Sequence, residues 1–89
     1  MGNINIRIGA RIKQVRLEKK LSREQIARRI GTCQQTIEKY ETGEIDISVR
    51  QLSKISHVLN VGITYLLLPK GEDDLIYKHY VKERLKIKL

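Results

Sequence analysis

Few residues of this 89-residue chain have a chemistry to offer. Gln34 and Gln35 stand side by side, and Lys39 follows one helical turn later. A glutamine amide can pair with adenine N6 and N7 together, and a lysine ammonium can reach guanine O6/N7 or a phosphate. The nucleophile and metal-ligand inventory is thinner. Cys33 is the single cysteine, His57 and His79 are the two histidines, and no spacing joins them into a metal site or a nucleophile and base. Glu72-Asp73-Asp74 could hold a cation, but an acidic cluster ahead of an apolar-periodic stretch is more simply a helix start favoured by the macrodipole. Gly31, Gly43 and Gly62 are isolated, so the chain has no glycine-rich phosphate loop. With no acid–base pair that spacing supports, the expectation is a protein that is not an enzyme, without cofactor or metal.

Charge points to a different role. The chain carries 18 Lys+Arg against 10 Asp+Glu, a net charge of +8. Residues 1–40 hold a net +7, residues 41–74 a net −3 and residues 75–89 a net +4, so the excess is localised. Localised basic surface suits a polyanion, because neutralising phosphates releases condensed counterions; solubility alone is the competing explanation. The basic stretch lacks the aromatic-rich apolar face of a membrane-surface helix. A chain of this length forms one small core, too small for a Rossmann domain or a (β/α)₈ barrel. The longest apolar run, Ile63 to Leu68, falls far short of the ~20 residues that span a bilayer. The start Met-Gly-Asn-Ile-Asn has no signal-peptide character, and the lone cysteine fits a reducing compartment. The expected location is cytoplasmic, in a bacterial or phage-encoded, nucleoid-associated protein.

Local signals divide the chain into helices. Leu21-Ser22-Arg23-Glu24-Gln25-Ile26 combines a Ser N-cap, a Gln that can reach back to it, and a Leu21/Ile26 staple. Ile47-Ser48-Val49-Arg50-Gln51-Leu52 repeats the arrangement, and Thr32-Cys33-Gln34-Gln35 is a weaker third box. Gly31, Gly43 and Asn60 supply the stops. The apolar sets Ile8/Ile12/Val15, Ile26/Ala27/Ile30, Ile37/Tyr40 and Leu52/Ile55/Leu59 recur at helical spacing, and Gly62–Leu68 reads as a short fifth helix ended by Pro69 and Gly71. The fold class is all-α, with five helices in residues 1–68 and a candidate sixth over 74–88. Only Gly31 and Thr32 separate the second and third helices, too few for an antiparallel pair, so they must cross steeply as in a helix-turn-helix. With Ile37 and Tyr40 inward, Gln34, Gln35, Glu38 and Lys39 face outward, as a major-groove reader or a plain solvated face would have them.

Over residues 6–68 the chain resembles the Cro/repressor-type (XRE-family) helix-turn-helix domain of phage repressors and bacterial regulators. The resemblance is carried by Leu21-Ser22-Arg23-Glu24-Gln25-Ile26-Ala27, the turn at Gly31, Gln34-Gln35-Thr36-Ile37-Glu38, Tyr40-Glu41-Thr42-Gly43 and Val61-Gly62-Ile63-Thr64-Tyr65-Leu66-Leu67. The run from Gly31 to Glu38 is similar to the recognition-helix start of lambdoid repressors that read operators with paired glutamines. It implies base readout by Gln34, Gln35 and Lys39, and a backbone phosphate contact at Arg23; Arg11, within the basic half of the chain, and Arg50, the nearest basic residue after the acidic loop, are further phosphate candidates. It also implies a partly buried ion pair between Arg16 and Glu41. Two departures stand out. Cys33 occupies a position where the family commonly has a Ser or Thr cap, so either Thr32 caps instead or the helix start frays. The loop Glu44-Ile45-Asp46-Ile47 is acidic where Pro or basic residues are usual.

Beyond Pro69, Tyr77, Val81 and Leu85 recur every four residues, with Ile76, Tyr80 and Ile87 widening the stripe. This extension (69–89) either folds back on the domain or pairs with a second copy; Ile76, Tyr77, Tyr80, Val81 and Leu85 are the expected dimer residues. The ending Leu85-Lys86-Ile87-Lys88-Leu89 could instead add a strand across a dimer. The expected function is a homodimeric, repressor-like transcriptional regulator of a palindromic double-stranded DNA operator, with no membrane partner. The alternative is an antitoxin-type module that binds a protein partner and touches DNA secondarily.

Overall fold

The computed structural model describes residues 4–67, and over these the chain is all-helical, with no strand. Five helices follow in order: α1 (Ile4–Glu18), α2 (Arg23–Ile30), α3 (Gln34–Thr42), α4 (Val49–Leu59) and α5 (Ile63–Leu67). The candidate sixth helix and the dimer residues Ile76, Tyr77, Tyr80, Val81 and Leu85 lie outside the described residues, as does Leu68 at the end of the expected domain. No helix among the described residues is long and apolar enough to cross a membrane.

Helix starts and stops follow local chemistry. At α2 the Ser22 hydroxyl accepts from the Gln25 amide at 3.0 Å while the Gln25 side chain accepts from the Ser22 amide at 2.7 Å, a complete capping box. Ser48 caps α4 by accepting from the Gln51 amide at 3.1 Å. The staple residues Leu21 and Ile47 both pack, partly buried, against the core. Gly31, Gly43 and Asn60 end their helices in the left-handed conformation, at φ 77°, 80° and 58°.

The start of α3 departs from the expected box. Its N-cap is Cys33 and not Thr32. Because Gly31 turns left-handed, the Thr32 amide swings back to the Ala27 carbonyl at 2.9 Å and belongs to the end of α2. The turn is therefore three residues long, Gly31 to Cys33. Lys20, at φ 59°, ends α1 in the same conformation without being glycine or asparagine, a stop with no composition signal.

The core is built from the apolar sets read in the sequence. Ile12, Ile26, Ile37, Ile55 and Leu59 are fully excluded from solvent, joined by Ile8, Val15, Ala27, Ile30, Tyr40, Leu52, Leu66 and Leu67. Each fully buried aliphatic side chain contributes about 1.5–3 kcal/mol relative to exposure. Helix α3 packs on α1 and α2, while α5 packs on α1 and α4.

Gly9 sets how closely α1 approaches α3. A Cβ at this position would meet the Glu41 carbonyl oxygen at 2.6 Å and run still harder into that of Tyr40. Both are helix backbone and cannot turn aside, so α1 lies on α3 main chain against main chain. Alanine is favoured over glycine in a helix by about 1 kcal/mol, and here the steric conflict must exceed that gain. Gly9→Ala is expected to destabilise the fold by about 3 kcal/mol in urea denaturation. Gly31→Ala, with nothing within 4 Å of the added carbon but a left-handed backbone, is expected to cost about 1 kcal/mol.

Candidate nucleic-acid interface

Helix α3 has two unlike faces. Ile37, Tyr40 and Glu41 are buried against α1 and α2, whereas Gln34, Gln35, Glu38 and Lys39 are exposed. The two glutamines occupy the first turn, where side chains project past the end of the helix. Cys33 supplies no capping side-chain hydrogen bond. Its exposed Sγ lies 3.3 Å from the Thr36 hydroxyl, and that contact, helped by neighbouring backbone amides, holds the thiol below its ordinary pKa.

Behind this face, three elements converge on one carboxylate. Arg16 of α1 donates to Glu41 through Nε at 2.6 Å and through a terminal nitrogen at 3.2 Å, and its other terminal nitrogen donates to the Leu21 carbonyl at 2.9 Å. Arg23, the first residue of α2, donates its Nε to the second Glu41 oxygen at 2.9 Å. Only 1% of the Glu41 side chain is exposed, against 8% for Arg16 and 30% for Arg23. Sequence reading paired Arg16 with Glu41 through family resemblance and assigned Arg23 to phosphate alone. The third member of the cluster was missed because nothing local connects residues 18 positions apart.

The remaining candidates are dispersed. Arg11 stacks on Tyr65 of α5, its guanidinium carbon 4.8 Å from the ring centroid, a cation–π contact that sequence reading did not anticipate. Arg50 is exposed in the first turn of α4. In the loop before it, Asp46 accepts from the Asn5 side-chain amide, and Glu44 accepts from the Thr42 hydroxyl at 3.3 Å. Among the described residues no group of three His, Cys, Asp or Glu side chains converges as a metal site.

An α2–turn–α3 unit, an exposed polar first turn and a buried ion pair behind it coincide with a known family. The helix-turn-helix family HTH_3 matches residues 12–66. The chain belongs to this XRE-type helix-turn-helix family. A transcriptional regulator from the ATPase CF(0) region of Rhodospirillum rubrum is 40% identical over 72 residues, 79% of this chain and 67% of that protein. A helix-turn-helix regulator of Sinorhizobium medicae is 34% identical over 62 residues, 70% of this chain but 45% of its own length. The SPbeta prophage-derived regulator YonR of Bacillus subtilis is 34% identical over 59 residues, 66% of this chain and 55% of its own.

Among solved structures the fold is shared with the restriction-modification controller protein C.AhdI of Aeromonas hydrophila, at TM-score 0.66 and 24% identity over 68% of this chain and 92% of that one. It is also shared with the hypothetical transcription factor NHTF from Neisseria, at TM-score 0.70 and 24% identity over 96% of this chain and 85% of that one. The helix-turn-helix family is one of DNA-binding regulators and not of enzymes.

The ion cluster sets an order of stabilities. Removing one partner of a buried pair typically costs 3–5 kcal/mol because a charge is stranded. Here Arg23 still reaches Glu41 after Arg16 is lost, so Arg16→Ala is expected at the low end, about 3 kcal/mol. Arg23→Ala, removing a more exposed partner, is expected to cost about 1 kcal/mol. Urea denaturation of both variants checks the order, and equal melting of Arg16→Ala and wild type would refute it.

Proposed function

We propose that this helix-turn-helix protein is a sequence-specific repressor that binds a palindromic double-stranded DNA operator as a homodimer, with α3 in the major groove. The observation that carries this is the pair Gln34 and Gln35 exposed in the first turn of a helix whose opposite face is fixed by Ile37, Tyr40 and Glu41. Amide side chains on a rigid helix start suit adenine edges, and Lys39, exposed one turn further on, suits guanine or phosphate.

Phosphate contact is assigned to Arg23 at the start of α2 and Arg50 at the start of α4, where the positive helix ends add to the side-chain charge. Arg11, stacked on Tyr65, is a lesser contributor. The dimer is assigned to residues 69–89 through Ile76, Tyr77, Tyr80, Val81 and Leu85, and the protein to the bacterial cytoplasm. The relatives named as transcriptional regulators support the regulatory role.

Selection of duplexes from a randomised pool tests the reading. The expected product is a palindrome with half-sites about one helical turn apart, as a two-fold dimer requires. Gln34→Ala or Gln35→Ala should cost ~1–3 kcal/mol on that duplex and leave poly(dI-dC) binding unchanged; a uniform loss on both would remove the glutamines from base readout. Cys33 offers a mutation-free check, being exposed immediately before Gln34. Alkylation of its thiol is expected to slow at least several-fold when the selected duplex is bound, and an unchanged rate would place α3 away from the DNA.

A further inference from the structure

The two guanidiniums on Glu41 are not equivalent. Arg16 is fully engaged: Nε and one terminal nitrogen are on the carboxylate, and the other terminal nitrogen is on the Leu21 carbonyl. Arg23 gives Glu41 only its Nε. Among the described residues its terminal nitrogens have no hydrogen bond, and nearly a third of the side chain is exposed. Two cations share one anion, so the cluster retains one uncompensated positive charge, carried on the outer edge of Arg23. Glu24 does not cancel it, because its carboxylate runs along the helix to Arg28 at 3.2 Å.

We infer that Arg23 is a two-edged bridge that registers α3 on the DNA: Glu41 holds the inner edge of its guanidinium, and one phosphodiester takes the outer edge. Glu41 then acts as a positioning residue. The inference rests on the proposed DNA-binding role of α3. A guanidinium is planar, with donors on two separate edges in fixed geometry, so it can grip a carboxylate and a phosphate at once; a lysine ammonium is a single centre on a flexible stem. The phosphodiester's single negative charge matches the surplus of the cluster.

Glu41 belongs to α3, the same helix that carries Gln34 and Gln35. A phosphate held by Arg23 therefore has a fixed distance and direction from the base-reading turn. In a non-specific complex any mobile cation can neutralise a phosphate. In the specific complex the phosphate must sit where the bridge places it.

Arg23→Lys tests this, since it conserves charge and leaves the Arg16–Glu41 pair intact. Its binding is compared with wild type on the duplex recovered by selection and on poly(dI-dC). The expected result is about tenfold weaker binding to the selected duplex, poly(dI-dC) affinity within about twofold of wild type, and a near-unchanged melting temperature. Arg23→Ala should weaken both and lower the salt slope by about one unit. Wild-type affinity of Arg23→Lys on the selected duplex would overturn the bridge, because charge alone would suffice. Equal losses on both duplexes would overturn it too, as the mark of a contact without register. Arg23→Ala binding both duplexes like wild type would deny Arg23 any phosphate role while leaving the reading of α3 standing. Failure to enrich any duplex would instead defeat that reading, and the bridge with it.

Discussion

One buried carboxylate organises the described domain. Glu41 lies in the last turn of α3, almost wholly withdrawn from water, and taking an ion out of water costs several kcal/mol unless its partners are close and well aligned. Arg16 comes from α1 and Arg23 from the start of α2, so the charge is satisfied only when all three helices are docked in one arrangement. Apolar burial makes collapse favourable but tolerates small sliding of helices. The carboxylate does not, because its three hydrogen bonds require a particular height and rotation of each helix.

Gly9 serves the same junction from the other side. Its missing side chain lets α1 approach the carbonyls of Tyr40 and Glu41, the stretch of α3 that carries the buried carboxylate. Close main-chain approach and the short Arg16–Glu41 contact are thus one feature of the α1–α3 crossing. With the inner face of α3 committed in this way, Gln34, Gln35 and Lys39 are free of structural duty. Their helix is nonetheless fixed, which is what a surface that must match another surface needs.

The sequence was most informative where a signal is local. The capping box at Ser22, the cap at Ser48, the helix ends at Gly31, Gly43 and Asn60, and the inward sets from Ile8 to Leu59 depend on neighbours within a turn or two, and all are present. Thr32 misled because one left-handed residue redirects the following amide, and residue type does not say on which side of a turn an amide ends. Arg16–Glu41, 25 residues apart, was reachable only through resemblance. Arg23 on Glu41 and Arg11 on Tyr65 were not reachable at all: periodicity reports which face of a helix is buried, and not which distant side chain meets a charge. Gly9 was readable in principle, as an isolated glycine between Ile8 and Ile12 on a helix's apolar face, where close backbone approach is the usual reason.

Charge and position also divide the proposed contact unevenly. The +7 of residues 1–40 lies with α1, α2 and α3, whereas the loop after α3 carries Glu44 and Asp46. Those carboxylates are tied to Thr42 and Asn5 within the domain, which fixes negative charge beside the end of α3. On the proposed docking, phosphates on the α2 side of α3 meet Arg23 with its fixed outer edge and the positive end of a helix. Phosphates on the α4 side meet Arg50, exposed in the first turn of α4 after a loop that carries two acids. Backbone grip is then concentrated on the α2 side, where the guanidinium is held by α3 itself. Attraction that is weak on one flank and rigid on the other favours register over mere adhesion, because sliding along the groove gives up the one phosphate contact whose geometry is built into the core.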